Sequence, residues 1–534
     1  MKLNRRSFCF AAKLIVVLVV LTVALSVLAA CATDKMKQAE KDGDNYKIVM
    51  SYDPETHTLS ATQLTEVTNR TNNAFTKIMF HIYANAYREG AEPIVPNTYR
   101  AAAYPCGESY GNIAFDYVKV DDVACAFRTE GDNGDLLAVP LSQEMFPRDK
   151  VTVELTYKVT LANIKHRLGY TSNAVNCGNF FPIVCHIDND NFSETPYYAV
   201  GDPFVSDCAN FDVTVCAPSK FVVAASAQLT SVTSADGFDT WHYTGNARRD
   251  FAIVMSDKYK KLTSQVGDKQ LHYYYFADAE PEATLAVQKG MFEYMNKHVG
   301  EYPYEQYSVC ETDFCYGGME YPCLAMVTSG QQAYKTAVIH ETAHQWFYGV
   351  VGNDQIANPW MDEGLCEFLT CLYMDEAGLA PLENGIKAAT KNYVTYVDVL
   401  NRYYDHTDTT FRPINAYKND GEYVVMTYVK GCLLFDTLYR TMGKDKFLRT
   451  LADYYAACAF TLATPQQMTD CFVRRGGKEM ATIFDNYASG KDIIGKVTLE
   501  CHGMLVHVSA GYLPVRGWLH TCSSPVRPSP PVYR

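Results

Sequence analysis

The chain has 534 residues, of which 48% are hydrophobic and 20% are charged, and its formal net charge is −13. This length is too great for one simple core and predicts two or three domains of ordinary globular composition. The acidic balance argues against nucleic acid as a partner.

The first thirty residues have the pattern of a secretory signal. Basic residues open the chain, an apolar run follows over residues 14–28, and Ala29 and Ala30 stand directly before Cys31. A basic start, a short apolar run and small residues at a cleavage point predict a signal peptide over residues 1–30. The apolar run is also short for a membrane-spanning helix, which needs about 20 apolar residues.

Cys31 stands where a bacterial lipobox has its acylated cysteine, and this resemblance implies a lipid on Cys31 as the first residue of the mature chain. We therefore expect an extracytoplasmic protein that is lipid-anchored to the bacterial cell membrane. An uncleaved N-terminal anchor helix is the alternative, and it leaves the bulk of the chain on the same side of the membrane.

The sequence of residues 31–260 predicts a tether followed by a β domain. Residues 31–45 are polar and lysine-rich, which predicts a flexible tether. Residues 46–260 contain runs of alternating apolar and polar residues, as over 150–157 and 211–215, with Gly, Pro, Asn and Asp between them. This pattern predicts a β-sandwich or saddle.

Helical spacing replaces the alternation over residues 261–490. Helices are predicted near residues 282–298, 331–350 and 362–376, with others within 421–485. The fold class is therefore multidomain α+β, with the β domain followed by a mostly α-helical domain.

The last stretch, residues 491–534, is atypical. No acidic residue follows Glu500, and prolines crowd the final ten positions. Such a shift in composition predicts a disordered tail or a shifted reading frame at the end of the gene.

The strongest motif is His340-Glu341-x-x-His344. Residues four apart share one face of an α-helix, so both imidazoles can bind the same metal ion. Neutral imidazole is a suitable ligand for zinc. Glu341 lies beside the two histidines, where it can hold a water on the metal and take its proton.

A catalytic zinc site usually has three protein ligands and an open position. Glu363, nineteen residues after His344, is the candidate third ligand, because this gap allows a loop and a second helix that runs back. We predict one zinc ion per chain. Glu367 lies one helical turn later and can accept the second ring proton of His340 or His344; a solvated helix glutamate is the alternative interpretation.

The sequence around these residues resembles the aminopeptidase N family of gluzincins, which also includes leukotriene hydrolase. The resemblance rests on four segments in order: Gly317-Gly318-Met319-Glu320-Tyr321, the stretch from His340 to Phe347, Trp360-Met361-Asp362-Glu363-Gly364, and Tyr428-Val429-Lys430-Gly431. Residues 249–252 and 201–204 show a weaker similarity to the same family. In all, the resemblance covers residues 50–490, approximately.

The resemblance implies a thermolysin-like zinc catalytic domain and an aminopeptidase that acts on peptides with free N-termini. Glu341 would act as the general base and Tyr428 would stabilise the oxyanion. Glu320 would bind the free α-ammonium group of the substrate. Gly317, Gly318 and Met319 would form the substrate-binding strand, whose glycines let its edge approach the peptide backbone.

Two departures from the family stand out. Tyr321 occupies the position of the family's asparagine, so we expect it to touch the first substrate pocket and to change the side-chain preference. The chain also ends about 170 residues after Glu363, so we expect a bacterial lipoprotein form without the family's large C-terminal helical domain.

Three other functions compete with an aminopeptidase. A thermolysin-type zinc endopeptidase would share the metal ligands and Glu341 but would not need Glu320. A non-catalytic lipoprotein could use the same fold to bind peptides. An epoxide hydrolase is the third, and no feature of the sequence specifies the lipid channel that it would need. The sequence does not indicate an oligomeric state.

Overall fold

The computed structural model describes residues 34–328, 334–403 and 408–490. Within them a β-rich domain precedes a region of helices packed on one small sheet, which confirms the predicted multidomain α+β class. The predicted signal peptide, Cys31 and the predicted tail lie outside the described residues. None of the described helices is both long enough and apolar enough to cross a bilayer.

The β domain contains eighteen strands among the described residues. In chain order they are β1 (Asn45–Asp53), β2 (Thr58–Thr68), β3 (Phe75–His81), β4 (Asn112–Val120), β5 (Val123–Ala124), β6 (Arg128–Glu130), β7 (Leu136–Met145), β8 (Lys150–Thr160), β9 (Leu168–Tyr170), β10 (Val175–Cys177), β11 (Ile183–Val184), β12 (Ile187–Asp188), β13 (Asn191–Phe192), β14 (Ala209–Pro218), β15 (Val222–Ala225), β16 (Gln228–Ala235), β17 (Phe238–Arg248) and β18 (Ile253–Ser256).

Alternating burial explains how these strands assemble. β1 and β14 bury every second side chain along their length, as expected when one face of a sheet covers a core and the other faces solvent. The main sheet has the order β16-β17-β14-β1-β2-β8-β4-β5, in which β1 is parallel to β14 and antiparallel to β2. Two four-stranded sheets, β15-β18-β10-β9 and β11-β3-β7-β6, pack on the same core, and β12 and β13 form a hairpin.

The helical region has its own short strands. They are β19 (Lys260–Val266), β20 (Lys269–Tyr275), β21 (Gln306–Thr312), β22 (Gly318–Met319), β23 (Leu324–Thr328), β24 (Gly352–Asn353) and β25 (Leu462–Ala463). Five of them form a sheet of order β19-β20-β21-β23-β22, with β22 at one end, and β24 pairs with β25.

The described residues form the following helices. They are α1 (residues 34–42), α2 (Asn97–Ala103), α3 (Pro281–His298), α4 (Tyr334–Ala343), α5 (Glu363–Glu376), α6 (Leu382–Tyr403), α7 (Asp420–Val424), α8 (Lys430–Met442), α9 (Lys444–Cys458), α10 (Pro465–Gly476) and α11 (Lys478–Ser489), with 3-10 turns at Tyr83–Tyr87 and Ile414–Ala416 and a π-helical turn at Val425–Val429.

The five-stranded sheet lies between the two apolar cores. Val309 and Val327 point into the core formed with the helices, whereas Cys310 and Met326 point into the core of the β domain. Because successive residues of a strand face opposite sides, one sheet buries apolar side chains in both domains. The end strand β22 is therefore held at the junction of the domains.

Residues 34–42 form α1, so the prediction of a tether over residues 31–45 is wrong for this part. Met36 and Ala39 pack against the core of the helical region, and Asn210 Nδ2 donates to the backbone oxygen of Glu40 at 2.7 Å. Met36 and Ala39 are three residues apart and so share one helix face. This apolar pair is short and lies in a lysine-rich segment, so composition alone did not indicate a helix.

The helix that carries the zinc motif is also shorter than predicted. α4 ends at Ala343, whereas the sequence predicted a helix to residue 350. Beyond α4 the chain folds back, Phe347 pairs with Val351, and Tyr348 adopts a φ of 124°. A positive φ at a bulky residue is uncommon and is incompatible with a continuing α-helix, so residues 344–351 form a tight connection instead.

Candidate metal centre and active site

Three side chains from two helical segments converge on one point. His340 lies on α4, His344 follows one turn later, and Glu363 is the first residue of α5. The Nε2 atoms of the two histidines are 3.0 Å apart, and Oε2 of Glu363 lies 3.1 Å from the first and 3.2 Å from the second. Two imidazole nitrogens and a carboxylate oxygen are a usual ligand set for catalytic zinc.

The groups around these ligands also suit a zinc ion. Nδ1 of His344 lies 3.0 Å from the backbone oxygen of Phe347, and a proton shared there leaves the Nε2 lone pair for a metal. Glu367 Oε2 lies 3.4 Å from Nδ1 of His340. Burial alone would raise the pKa of Glu363, but His344 and His340 hold it well below its usual range, so this carboxylate is ionised. The three residues therefore fit a zinc ion.

Glu341 lies next to the ligands and beneath the end strand of the sheet. Its side chain is buried, and its Oε2 accepts no hydrogen bond from the described residues. A Cβ added at Gly318 would lie under 3.0 Å from this carboxylate, so β22 passes directly over it. Burial raises the pKa of Glu341 to about 8. The carboxyl group can therefore hold a proton near neutral pH, as a general base does after it has taken one.

Tyr428 reaches the same centre from the π-helical turn, a rare form that often occurs at functional sites. Its hydroxyl donates to Oε1 of Glu363 at 2.6 Å, and its ring stacks on that of His340 with centroids 6.0 Å apart. Tyr423 meets Tyr428 edge to face at 5.9 Å. Both tyrosines therefore lie beside the candidate metal ligands.

The predicted substrate-binding segment forms the end of the five-stranded sheet. β22 pairs with β23 on one side only among the described strands, and Gly317 precedes it with an exposed backbone. Glu320 follows β22 and is buried, and its carboxylate lies within 4.8 Å of those of Asp202 and Glu363. Burial, and then the charge of Asp202, raise the pKa of Glu320 to about 7.

Two further residues reach this site that the sequence did not assign to it. Asp202 comes from the β domain, and the guanidinium of Arg167 donates to its carboxylate. Gln355 comes from the turn after β24, and its Nε2 donates to Oε1 of Glu320 at 2.8 Å. The weak resemblance to the family at residues 201–204 could have identified Asp202 from the sequence, whereas Gln355 lies in no recognised motif.

Tyr321 does not face a substrate pocket, so the expected contact with the first pocket is wrong. Its ring is fully buried, and its hydroxyl donates to Oδ1 of Asn179 at 2.6 Å. Asn179 Nδ2 donates in turn to Asp250 at 2.6 Å. A Cβ added at Gly178 would overlap the Tyr321 hydroxyl. The tyrosine therefore fills a space left by a glycine of the β domain.

Comparison with known proteins agrees with this geometry. Residues 283–487 match the Peptidase family M1 domain. Leukotriene A-4 hydrolase of Xenopus laevis is 27% identical over 203 residues, which cover 34% of this chain and 31% of that protein. Aminopeptidase B of Mus musculus is 35% identical over 262 residues, 43% of this chain and 36% of that protein. The aligned part thus spans about a third of these curated relatives.

Solved structures show the same fold. An M1 zinc metallopeptidase from Deinococcus radiodurans aligns with a TM-score of 0.58 at 17% identity, covering 85% of this chain and 95% of that one. Residues 283–487 therefore match the peptidase family M1 domain, and the fold around them is that of M1 zinc metallopeptidases.

Proposed function

We propose that the protein is a zinc-dependent aminopeptidase that removes single residues from the free N-termini of peptides. The observation that carries this proposal is the position of Glu320, a buried carboxylate within 4.8 Å of the candidate zinc ligand Glu363 and of Asp202. A free α-ammonium group can bind there through charge-assisted hydrogen bonds. A peptide that continued past this point would leave the buried Glu320 carboxylate without a positive partner, at a cost of several kcal/mol.

The protein residues divide the catalytic work between them. His340, His344 and Glu363 would hold a zinc ion, which when bound would supply the positive charge that activates water and polarises the scissile carbonyl. Glu341 takes the proton of the attacking water and then passes it to the leaving amine. The Tyr428 hydroxyl donates to Oε1 of Glu363 in the substrate-free protein, and by turning from this oxygen to the substrate it would donate to the carbonyl oxygen as negative charge develops there.

The edge strand holds the substrate for this reaction. β22 has a free edge among the described strands, and a peptide backbone can add to such an edge through main-chain hydrogen bonds. A Deinococcus radiodurans M1 zinc metallopeptidase mutant with a TM-score of 0.58 to this chain was solved with bound Tyr-ser-ala substrate. That complex supports peptides as the substrate class of this protein.

The test is a panel of aminoacyl anilides with a free α-amine, each paired with its N-acetylated form. We expect hydrolysis of the free forms only, loss of activity with a chelator and recovery on addition of zinc. Equal cleavage of the acetylated forms would favour a thermolysin-type endopeptidase. If the zinc-loaded protein hydrolyses neither form, the remaining interpretation is a non-catalytic lipoprotein that binds peptides.

We further propose, from the sequence pattern alone, that a lipid on Cys31 anchors the protein outside the bacterial cytoplasm. The Cys31→Ser variant should move from the membrane fraction to the soluble extracytoplasmic fraction on immunoblots. Retention of the variant in the membrane fraction would favour an uncleaved anchor helix instead.

A further inference from the structure

Gln355 bridges two buried carboxylates at the site. Its Nε2 donates to Oε1 of Glu320 at 2.8 Å and to Oδ2 of Asp362 at 2.9 Å. Asp362 in turn caps α5, because its Oδ1 accepts from the backbone nitrogen of Glu363 at 3.0 Å. One amide thus connects Glu320 to the start of the helix that carries the third candidate zinc ligand.

The turn that carries Gln355 is itself fixed. Oδ1 of Asp354 accepts from the backbone nitrogens of Ile356 and Ala357 at 3.0 and 2.8 Å. Asn353 Nδ2 donates to Oδ1 of Asp362 at 3.1 Å. These bonds immobilise the turn before any substrate arrives, so the amide of Gln355 is preorganised.

The orientation of this amide follows from its partners. Nε2 of Gln355 lies between two carboxyl oxygens that accept hydrogen bonds, and an amide nitrogen can donate to both whereas an amide oxygen can donate to neither. The oxygen, Oε1, is buried and accepts no hydrogen bond from the described residues. It lies within roughly 5–6 Å of the Glu320 carboxylate, because the amide oxygen and nitrogen share one carbon. A buried acceptor without a donor is costly unless a ligand supplies one.

We propose that Gln355 is a specificity-determining residue for the N-terminal amine of the substrate. Its nitrogen holds Glu320 in position, and its oxygen accepts a second hydrogen of the α-ammonium group, which has three N–H donors. This inference rests on the proposed function, since it concerns the amine pocket of an aminopeptidase.

The experiment compares two hydroxamates that bind zinc, an amino acid hydroxamate and the same molecule without its α-amine. Their dissociation constants are measured by calorimetry on the zinc-loaded full chain. The ratio of the two constants reports recognition of the amine separately from zinc binding and turnover. In the unaltered protein the amine should tighten binding, and Glu320→Gln should remove most of this preference.

Gln355→Met keeps the side-chain volume but removes both amide contacts. We expect it to lower the amine preference by about tenfold or more, as for loss of a hydrogen bond to a charged group. Binding of the hydroxamate without the amine and the zinc content should stay unchanged. Gln355→Asn retains an amide that is too short to reach both carboxylates, and it should give the same loss if methionine impairs folding.

Gln288→Met is a matched control. Gln288, on α3, is another buried glutamine whose Oε1 accepts no hydrogen bond from the described residues. Its Nε2 donates to the backbone oxygens of His272 and Tyr307. Its variant should keep the full amine preference. If both Gln355 variants also keep it while Glu320→Gln loses it, the inference is overturned and the proposed function stands. If the unaltered protein shows no amine preference, the proposed function fails as well.

Discussion

The Glu341 carboxylate fits beneath strand β22 only because residue 318 of that strand is a glycine. A Cβ at Gly318 would lie under 3.0 Å from the Glu341 carboxylate, whereas a Cβ at Gly317 would meet no atom within 4 Å. The two glycines of the motif therefore differ in role. Gly317 leaves the edge of the sheet open, and Gly318 lets the strand lie over Glu341, the proposed general base.

Gly318→Ala should lower kcat without loss of zinc. The added methyl group displaces the Glu341 carboxylate, and a misplacement of about 1 Å in a catalytic group can cost on the order of 100-fold in rate. Steady-state kinetics and zinc analysis by mass spectrometry check this expectation. Gly317→Ala should lose far less in kcat, so equal losses in the two variants would show that contact with Glu341 is not the cause.

Glu341→Gln should keep the zinc ion and lose nearly all turnover. The amide has the same shape but cannot take a proton, and general-base catalysis contributes roughly 10²–10⁴-fold to rate. His340, His344 and Glu363 are unchanged, so the zinc content of the purified variant serves as the control for a correctly folded site. Turnover close to that of the unaltered protein would exclude Glu341 as the base.

Motif spacing was enough to predict the residues that local geometry brings together. His340 and His344 share a helix face by their four-residue spacing, and Tyr428 was found from a short motif. Gln355 was not predictable in this way. It reaches Glu320 from an irregular turn, whose path depends on tertiary packing rather than on a repeating pattern.

Helices α5 and α8 cross at two glycines that belong to separate motifs. A Cβ added at Gly364 would lie 2.7 Å from Cα of Gly431, and one added at Gly431 would lie 2.8 Å from Cα of Gly364. The backbones can approach this closely only because both side chains are absent. This crossing brings the turn with Tyr428 against Glu363, so the two motifs depend on each other.

Gly431→Ala should destabilise the protein and weaken its hold on zinc. The added methyl group forces α8 away from α5, and overpacking of this kind costs about 1–3 kcal/mol. Thermal unfolding and the rate of zinc loss to a chelator measure the two effects. Gly421→Ala is the control, because its Cβ would meet only Asn419 Oδ1, at 3.2 Å. Faster zinc loss in the control variant than in Gly431→Ala would contradict this account.

At the level of elements, composition was a weaker guide than periodicity. The strands of the β domain followed from alternation, as in β8 and β14. The lysine-rich segment was predicted to be a tether, but α1 forms there because Met36 and Ala39 find a core to pack against. That core consists of residues from distant parts of the chain, so the helix could not be predicted from its own nine residues.

Across the whole molecule, buried polar side chains join the two domains next to the active site. Arg249 of the β domain donates to the backbone oxygens of Ser206, Tyr348 and Thr461 at 2.8–3.1 Å. It thereby ties the connection after the zinc-motif helix to the β domain. The carboxylate of the next residue, Asp250, joins the same junction through its hydrogen bond with Asn179. The domains therefore position the site together.

Asp250 should make the free energy of unfolding depend on pH, and the substitution Asp250→Asn tests the direction of this dependence. Burial raises its pKa to about 7, whereas an unfolded aspartate titrates near pH 4. The folded protein then binds more protons than the unfolded chain between these values, so the free energy of unfolding falls as the pH rises from about 4 to 7. The loss attributable to this residue is no more than about 4 kcal/mol.

Asp250→Asn should remove this fall, since asparagine keeps the shape and, if the Asn179 amide rotates, the hydrogen bond. Urea unfolding of zinc-saturated protein at pH 5 and pH 8 measures the effect, and the difference between variant and unaltered protein cancels the other titrating groups. The variant should gain stability relative to the unaltered protein at pH 8 but not at pH 5. Asp236→Asn, at an exposed position between β16 and β17, should show no such change. A variant that is equally destabilised at both pH values would show that the carboxylate is needed at the domain junction as an ion.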